Sequence, residues 1–200
     1  MTVRAVLWDA DGVLQEAPGG WVAPFESLLG DRAEEFLRAA WELELPTLSG
    51  RGSWPTLLPG LLDEWGLSER YDEVLAAWCR LEGHPASQSL VSELRAAGVR
   101  CYLATNQDAH RAGVMHAQFE YDVRMDGCFY SHALGVAKPE PAYFELILSE
   151  IALEPDQVLF VDNSPRNVEA ARDVGLRAEL WEIGDGDDLL RSAVDRHLKS

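Results

Sequence analysis

The stretch Val6-Leu7-Trp8-Asp9-Ala10-Asp11-Gly12-Val13 joins an apolar run directly to two carboxylates that stand one residue apart. A short apolar run predicts a buried β-strand, and the side chains that follow such a strand lie at the edge of the sheet. At that edge one carboxylate can attack an electrophile while the other transfers a proton. The stretch therefore predicts covalent chemistry at the end of the first strand.

Similar apolar runs recur along the chain and alternate with segments of helical spacing. Strands are predicted at residues 5–8, 99–104, 127–130, 158–161 and 178–181. Helices are predicted at residues 87–97, 109–118, 142–151 and 167–174. Because the strand runs are almost wholly apolar instead of alternating, they are typical of parallel strands covered by helices on both faces. The sequence therefore predicts an α/β fold with a doubly wound, mainly parallel sheet.

Residues 18–83 interrupt this alternation of strands and helices. They contain no strand-like run and carry helical patterns at 24–45, 55–65 and 69–81. We predict a small helical domain inserted into an α/β core of residues 1–17 and 84–200. It would stand above the carboxyl ends of the strands, where such sheets bind ligands. Most of its tryptophans are expected to pack its own core, while one or two line a substrate pocket: Trp21, Trp41, Trp54, Trp65 and Trp78.

The chain is strongly acidic, with a formal net charge of −17 over 200 residues. The field of such a surface repels polyphosphate, so neither nucleic acid nor an anionic membrane is expected as a partner. An anionic ligand would need local positive charge at its site. No apolar run has the length that spans a bilayer or the features of a signal peptide, which makes the cytoplasm the expected location. The oligomeric state stays open.

Polar residues also follow the other predicted strands. Thr105-Asn106 closes the second strand, Lys138-Pro139 lies after the third, and Asp162-Asn163 closes the fourth. Because the carboxyl ends of parallel strands meet at one crevice, we expect these residues to converge with Asp9 and Asp11. Together they supply a nucleophile, a proton donor, a hydroxyl, an ammonium and a metal-binding carboxylate, which is the set that phosphoryl transfer needs.

The order Asp9-x-Asp11, Thr105-Asn106, Lys138-Pro139 and Asp162-Asn163 resembles the four motifs of the haloacid-dehalogenase-like hydrolase superfamily. The resemblance covers essentially the whole chain, and it is to the phosphatase members that have a helical cap after the first strand. Each motif is short, but four in this order, each at the end of an apolar strand or in the loop that follows, form a specific pattern.

The resemblance implies a magnesium-dependent phosphatase that forms an aspartyl-phosphate. Asp9 would attack phosphorus in line, and Asp11 would protonate the leaving oxygen and then, as a carboxylate, activate water. Mg²⁺ would be held by Asp9, the backbone carbonyl of Asp11 and Asp162, which draws the nucleophile and the phosphate together despite their like charges. The implied substrate is a small phosphorylated metabolite, such as a sugar phosphate or a nucleotide.

The remaining motif residues would position the phosphoryl group. Thr105 and Lys138 would hold its non-bridging oxygens, and Asn106 would face the leaving group or orient the nucleophile. The chain uses arginine fifteen times and lysine twice, so a lysine at position 138 favours a need for a compact ammonium.

The last motif departs from the family pattern. Relatives usually carry a second acidic residue directly after the first or a few positions on, where this chain has Asn163, Arg166 and Asn167. An amide oxygen can ligate magnesium or hold a bound water, but it brings no negative charge. Both asparagines are therefore candidates for binding the metal or supporting its ligands, and weak metal binding is expected.

Three other functions are compatible with parts of the pattern. A 2-haloacid dehalogenase shares the nucleophile and the lysine but needs neither a metal nor Asp11. A phosphosugar mutase of the same fold would need basic groups on the helical insertion, for which Gly50-Arg51-Gly52-Ser53 is a candidate, although this segment is equally typical of a turn between helices. A non-catalytic binding protein on the same fold would not need Asp9, Asp11 and Lys138.

Overall fold

The computed structural model describes residues 2–199. The strands are β1 (Ala5–Trp8), β2 (Gln15–Glu16), β3 (Glu82–Gly83), β4 (Arg100–Thr105), β5 (Gly127–Tyr130), β6 (Val158–Asp162) and β7 (Arg177–Leu180). The α-helices are α1 (Ala23–Leu29), α2 (Ala33–Glu44), α3 (Trp54–Trp65), α4 (Tyr71–Trp78), α5 (Pro85–Ala96), α6 (Ala109–Phe119), α7 (Tyr121–Arg124), α8 (Ser131–Leu134), α9 (Pro141–Ile151), α10 (Pro165–Asp173) and α11 (Asp187–Leu198). Over these residues, none of the helices is long and apolar enough to cross a membrane.

The central sheet has five strands in the order β5-β4-β1-β6-β7, and all neighbouring strands are parallel. The middle strand, β1, pairs with β4 through Ala5 and Arg100 and with β6 through Ala5 and Val158. Every residue of β1 is buried, as expected of an unbroken apolar run. The predicted parallel α/β sheet is therefore confirmed, and the carboxyl ends of β1, β4 and β6 share one edge.

Apolar clusters cover both faces of this sheet, because successive side chains of a strand point in opposite directions. Val6 and Trp8 belong to a cluster that includes side chains of α5, α6 and α11. Ala5 and Leu7 belong to a second cluster that includes side chains of α9 and α10. The helices thus pack on both faces, which is the doubly wound arrangement predicted from the sequence.

Helices α1–α4 lie between β2 and β3 in the chain and form an apolar cluster of their own. Trp54 and Trp78 stack within it, with ring centroids 4.6 Å apart. Trp41, in contrast, is 40% exposed. We call Ala23–Trp78 the helical segment. The division of the chain into a core and an inserted domain of residues 18–83 stays a prediction.

The structure differs from the sequence prediction at Gly30, in α11, in the ribbon of β2 and β3 and in the short helices α7 and α8, which were not predicted. The helix predicted over residues 24–45 is interrupted at Gly30, whose φ of 55° ends α1 before a short 3-10 turn leads into α2. Helix α11 was not predicted; it is mostly polar and buries only Leu190, Ala193 and Val194. The antiparallel ribbon of β2 and β3 was also missed, because two residues per strand are too few to show a period.

Candidate active site

Three buried charges meet at the carboxyl edge of the sheet. Asp9 follows β1, and Asp162 ends the neighbouring strand β6. The ammonium of Lys138 lies 2.7 Å from Oδ1 of Asp9 and 2.7 Å from Oδ2 of Asp162. It also donates to the backbone carbonyl of Ala104 at 2.9 Å. Lys138 is 5% exposed, so it is a buried bridge between two carboxylates and not a solvated surface lysine.

Asn106 fixes the backbone that carries Lys138. Nδ2 of Asn106 donates to the carbonyl of Lys138 at 2.8 Å, and the N–H of Lys138 donates to Oδ1 of Asn106 at 2.9 Å. Two opposed hydrogen bonds of this kind hold a loop in one conformation. The structure therefore places Asn106 beside Lys138, and its contact with a leaving group stays a prediction.

Burial dominates the electrostatics of this cluster. Burial and the negative charge of Asp162 raise the pKa of Asp9 to about 7, although the ammonium of Lys138 opposes the rise. Burial lowers the pKa of Lys138, but the charges of Asp162 and Asp9 outweigh this effect and raise it overall. Because a nucleophilic carboxylate must be ionised, further positive charge beside Asp9 would favour its reactive form.

Both asparagines of the last motif border this cluster. Nδ2 of Asn167 lies 3.1 Å from each carboxylate oxygen of Asp162, and the N–H of Ser164 donates to Oδ1 of Asp162 at 2.7 Å. Asn163 lies against Gly12, where a Cβ would collide with Nδ2 of the asparagine. The φ of Gly12, 80°, also favours glycine. A contact of either asparagine with a metal stays a prediction.

The donor groups here fit a hard divalent cation. Asp9 and Asp162 together carry two negative charges against one positive charge on Lys138. The backbone carbonyl of Asp11 and the amide of Asn163 would add neutral oxygens, and Mg²⁺ takes oxygen ligands. Within residues 2–199, no group of three or more His, Cys, Asp or Glu side chains is arranged to hold a metal. A magnesium ion would therefore depend on neutral oxygens as well as on the two carboxylates.

Asp11 is held by three side chains that the sequence analysis missed. Arg111 donates to both carboxylate oxygens, with Nη2 2.9 Å from Oδ1. Gln107 donates to Oδ2 at 2.6 Å and Gln15 to Oδ1 at 3.0 Å. Burial opposes ionisation of Asp11, but the charge of Arg111 and these hydrogen bonds outweigh it and lower its pKa. Asp11 is therefore in the form required of the predicted base, and the predicted acid form requires this ion pair to open.

The sequence does contain a signal for Arg111. Arg111, Met115 and Phe119 recur at helical spacing and are all buried on one face of α6. An arginine within an apolar stripe needs a buried partner, because an unpaired buried charge is strongly unfavourable. Gln107 stands four positions earlier and accepts a hydrogen bond from Nη1 of Arg111 at 3.0 Å.

Thr105 ends β4 at the same edge and is buried. Its hydroxyl lies 3.3 Å from Nε2 of Gln107. The register pairs Leu103 of β4 with Trp8 of β1, so Thr105 stands beside the loop that begins at Asp9. Its contact with a phosphoryl group stays a prediction.

A cavity of about 230 Å³ lies between the helical segment and this edge of the sheet. Its lining includes Trp41 and Glu44 of the helical segment, Trp21 just before that segment, and Asp11, Asn106 and Arg111 on the other side. The guanidinium of Arg111 is 4.7 Å from the centroid of the Trp21 ring. The structure thus places two of the tryptophans around a cavity next to Asp11.

The Gly50-Arg51-Gly52-Ser53 segment makes a different contact. A Cβ at Gly50 would approach the carbonyl oxygen of His132 to 2.6 Å, and the φ of Gly50 is 74°. Arg51 is exposed. These observations favour a turn packed against α8 over a site for a second phosphate.

The parallel sheet and the charged residues at its carboxyl edge define a class of protein. Residues 3–175 match the family model of the haloacid dehalogenase-like hydrolases. The chain belongs to this family of hydrolases.

Particular relatives are similar over very different shares of their length. Phosphatase MT3486 of Mycobacterium tuberculosis is 26% identical over all of this chain and 95% of its own. Sesquiterpene phosphatase astK of Aspergillus oryzae is 37% identical over 44% of this chain and 45% of its own. Acyl-CoA dehydrogenase family member 10 of Mus musculus is 25% identical over 86% of this chain but 17% of its own. The chain therefore spans less than half the length of two of these relatives.

The HAD family enzyme bt-2542 of Bacteroides thetaiotaomicron has the same fold. Its crystal structure superimposes with a TM-score of 0.80 at 21% identity, covering 96% of this chain and 100% of the other. Its complex with magnesium and inorganic phosphate gives a TM-score of 0.78 at 20% identity, covering 94% and 98%.

Proposed function

We propose that this chain is a magnesium-dependent phosphatase that hydrolyses a small phosphate monoester through an aspartyl-phosphate. The observation that carries the proposal is the buried cluster in which Lys138 bridges Asp9 and Asp162, beside a cavity lined by Asp11. This arrangement combines a nucleophile, a fixed positive charge and a group for proton transfer. Relatives named as phosphatases, and the bt-2542 complex with magnesium and phosphate, support the same activity.

Asp9 is the nucleophile of the proposed reaction. The N–H of Ala10 donates to Oδ1 of Asp9 at 2.8 Å, and Lys138 donates to the same oxygen. Oδ1 is committed to these contacts, so we assign the attack on phosphorus to Oδ2. A new Asp9–phosphorus bond forms while the bond from phosphorus to the alcohol oxygen breaks. A Mg²⁺ ion held by Asp9, Asp162 and the carbonyl of Asp11 would offset the repulsion between the carboxylate and the phosphate.

Asp11 moves the proton in both steps. In the first, its carboxylic acid form gives a proton to the departing alcohol oxygen. In the second, its carboxylate takes a proton from the water that attacks phosphorus, while the bond between Asp9 and phosphorus breaks and releases phosphate and the Asp9 carboxylate. Arg111 holds Asp11 as the carboxylate, which is the form that the second step uses. Asp11 needs a proton for the first step, so substrate entry must loosen this ion pair before that step begins.

Hydrolysis of p-nitrophenyl phosphate should require a divalent cation. We expect excess EDTA to lower the rate by about 100-fold or more and added Mg²⁺ to restore it, because Lys138 is shared between Asp9 and Asp162 and does not by itself offset the repulsion between Asp9 and the phosphate. Phosphate release measures the reaction, and chloride release from 2-chloropropionate, which tests the dehalogenase alternative, should be absent. Full phosphatase activity in chelator would contradict the metal role of Asp162.

Asn163→Asp should lower the magnesium concentration that gives half-maximal activity. The new carboxylate has the shape of the amide that lies against Gly12, and it adds negative charge beside the ion. Partly screened, that charge contributes on the order of 1 kcal/mol, or about fivefold in affinity. The dependence of the rate on Mg²⁺ gives the half-maximal concentration, and calorimetric titration with Mg²⁺ gives the affinity.

Asn167→Asp is the companion variant. Nδ2 of Asn167 donates to Asp162, so an aspartate there would lose those hydrogen bonds and repel the carboxylate unless a cation lies between them. Unchanged magnesium dependence in both variants would show that the metal site is not around Asp162.

A further inference from the structure

Glu44 is a carboxyl group whose position the reaction itself does not explain. It ends helix α2 and lines the cavity beside Asp11. Its Oε1 accepts a hydrogen bond from Nε1 of Trp78 at 3.0 Å, which fixes the carboxyl group. A neutral donor does not offset its charge, and the dipole of α2 opposes a carboxylate at this end of the helix. A carboxyl group in this place either holds a proton or, when ionised, is stabilised by a bound cation.

The positive charge nearest to it is already in use. Both terminal nitrogens of Arg111 donate to Asp11, and Nη1 also donates to Gln107. Its Nε is buried, and the Trp21 ring lies 4.7 Å from the guanidinium. A second anionic group on a substrate would therefore have to displace Asp11 in order to bind Arg111.

The surroundings of Glu44 carry an excess of negative charge. The titratable groups around it are Asp11 after β1, Asp108 and Arg111 at the start of α6, and Cys79 after α4. Oδ2 of Asp108 is buried and accepts no hydrogen bond from the described residues. Burial raises the pKa of Glu44 to about 7; the Trp78 hydrogen bond and Arg111 oppose this rise, while Asp108 and Asp11 add to it.

The cavity also limits the size of the group it can hold. Its volume of about 230 Å³ is below that of pockets for drug-sized ligands. Trp21 and Trp41 meet edge to face within it, with centroids 6.4 Å apart. Aromatic rings beside a carboxylate favour an organic cation.

Building on the proposed phosphatase function, we propose that the substrate is the phosphate monoester of a small alcohol that carries an ammonium group, and that Glu44 selects it. The phosphoryl group would lie at Asp9 and the alcohol part in the cavity. The ammonium would contact Glu44 and the Trp41 ring. An alcohol with a carboxylate or a second phosphate would be repelled by Glu44.

Three two-carbon esters of matched size test the proposal: 2-aminoethyl phosphate, 2-hydroxyethyl phosphate and 2-phosphoglycolate. With Mg²⁺ at pH 8, we expect kcat/KM for the aminoethyl ester to exceed that for phosphoglycolate by about 100-fold. Glu44→Gln should reduce this ratio by about tenfold or more, since it removes one charge at the ligand. Glu42→Gln, an exposed glutamate on the same helix, is the matched control and should leave the ratio unchanged.

The pH dependence of the substrate preference gives a second measurement, which can be made on the wild-type protein alone. Glu44 gains its charge as the pH rises through about 7, so the preference for the aminoethyl ester should increase between about pH 6 and pH 8. Titrations of groups common to all three reactions cancel in the ratio. In Glu44→Gln the increase should disappear.

The outcomes of these experiments distinguish a failure of the role proposed for Glu44 from a failure of the proposed phosphatase function. A protein that hydrolyses p-nitrophenyl phosphate but uses phosphoglycolate as well as the aminoethyl ester retains the phosphatase function and overturns the role of Glu44. An equal loss of preference in Glu42→Gln also overturns it. Failure to hydrolyse p-nitrophenyl phosphate as well as all three two-carbon esters with Mg²⁺ overturns both proposals.

Discussion

Asp9→Asn should abolish turnover and leave the fold intact. The amide keeps the shape of the side chain and can still accept the hydrogen bonds from Ala10 and Lys138, but it cannot attack phosphorus. We expect a fall in kcat of about 1,000-fold or more. The substitution also removes one of the two carboxylates beside Lys138, so that Asp162 and Lys138 remain as an ion pair of one negative and one positive charge. Phosphate release and circular dichroism measure activity and fold.

A matched control keeps this result specific to the site. Asp173→Asn makes the same chemical change at an exposed position at the end of α10 and should keep wild-type activity. Beryllium fluoride, a mimic of the phosphoryl group, should bind the wild type in the presence of Mg²⁺ and fail to bind Asp9→Asn. If the variant kept more than a few per cent of the wild-type rate, the covalent mechanism would be wrong.

The sheet was predictable because its three central strands, β4, β1 and β6, are buried on both faces. The run that ends at Trp8 and the run that ends at Val161 are wholly apolar, and an apolar strand has few places in a fold other than the centre of a sheet. Helix α11 lacked such a signal, because three buried side chains among twelve residues are a weak stripe. The break at Gly30 depends on one backbone angle, which hydrophobic periodicity does not encode.

Strand ends alone predict the site only for residues that close a strand or follow it directly, whereas Lys138 was expected there from the order of the motifs. Asp9, Thr105 and Asp162 are placed by the ends of β1, β4 and β6, so the order of the strands brings them together. Lys138 reaches the cluster through a loop that hydrogen bonds from Asn106 hold in place. The position of a strand end does not predict these hydrogen bonds. Arg111 lies on a helix, and its partner Asp11 is one hundred positions away, so only the packing of α6 on the sheet reveals the pair.

Lys138→Met should destabilise the protein and abolish turnover. It leaves Asp9 and Asp162 buried near each other without the ammonium that lies 2.7 Å from both. Removing one partner from a buried charge cluster costs about 3–5 kcal/mol in the free energy of unfolding. Urea unfolding measures the loss. The double variant Asp9→Asn/Lys138→Met should recover part of it, because the amide removes one of the two like charges.

The stability loss in Lys138→Met should also depend on pH. The pKa of Asp9 is already raised to about 7 in the folded wild type, and loss of the ammonium removes a group that lowers it. An acid with a raised folded pKa contributes stability below its unfolded pKa and loses it as the pH rises through the folded value. The difference between variant and wild type should therefore be smaller near about pH 5, where mainly the contact of Lys138 with Asp162 is lost, and grow towards about pH 8. An equal loss at both pH values would show that packing, not charge, dominates at this position.

Lys138→Arg separates the charge of this residue from its shape. The guanidinium keeps the positive charge, so the stability loss should be smaller than in Lys138→Met. It is planar and larger, however, and the enclosed space between Asp9, Asp162 and the Ala104 carbonyl accommodates a compact ammonium. We expect kcat to fall by about 100-fold while the protein stays folded, since the charge would no longer lie where the phosphoryl oxygens are proposed to bind. Near-normal kinetics for Lys138→Arg would show that positive charge alone is sufficient. Near-normal kinetics for Lys138→Met would remove Lys138 from the reaction and leave it a purely structural bridge.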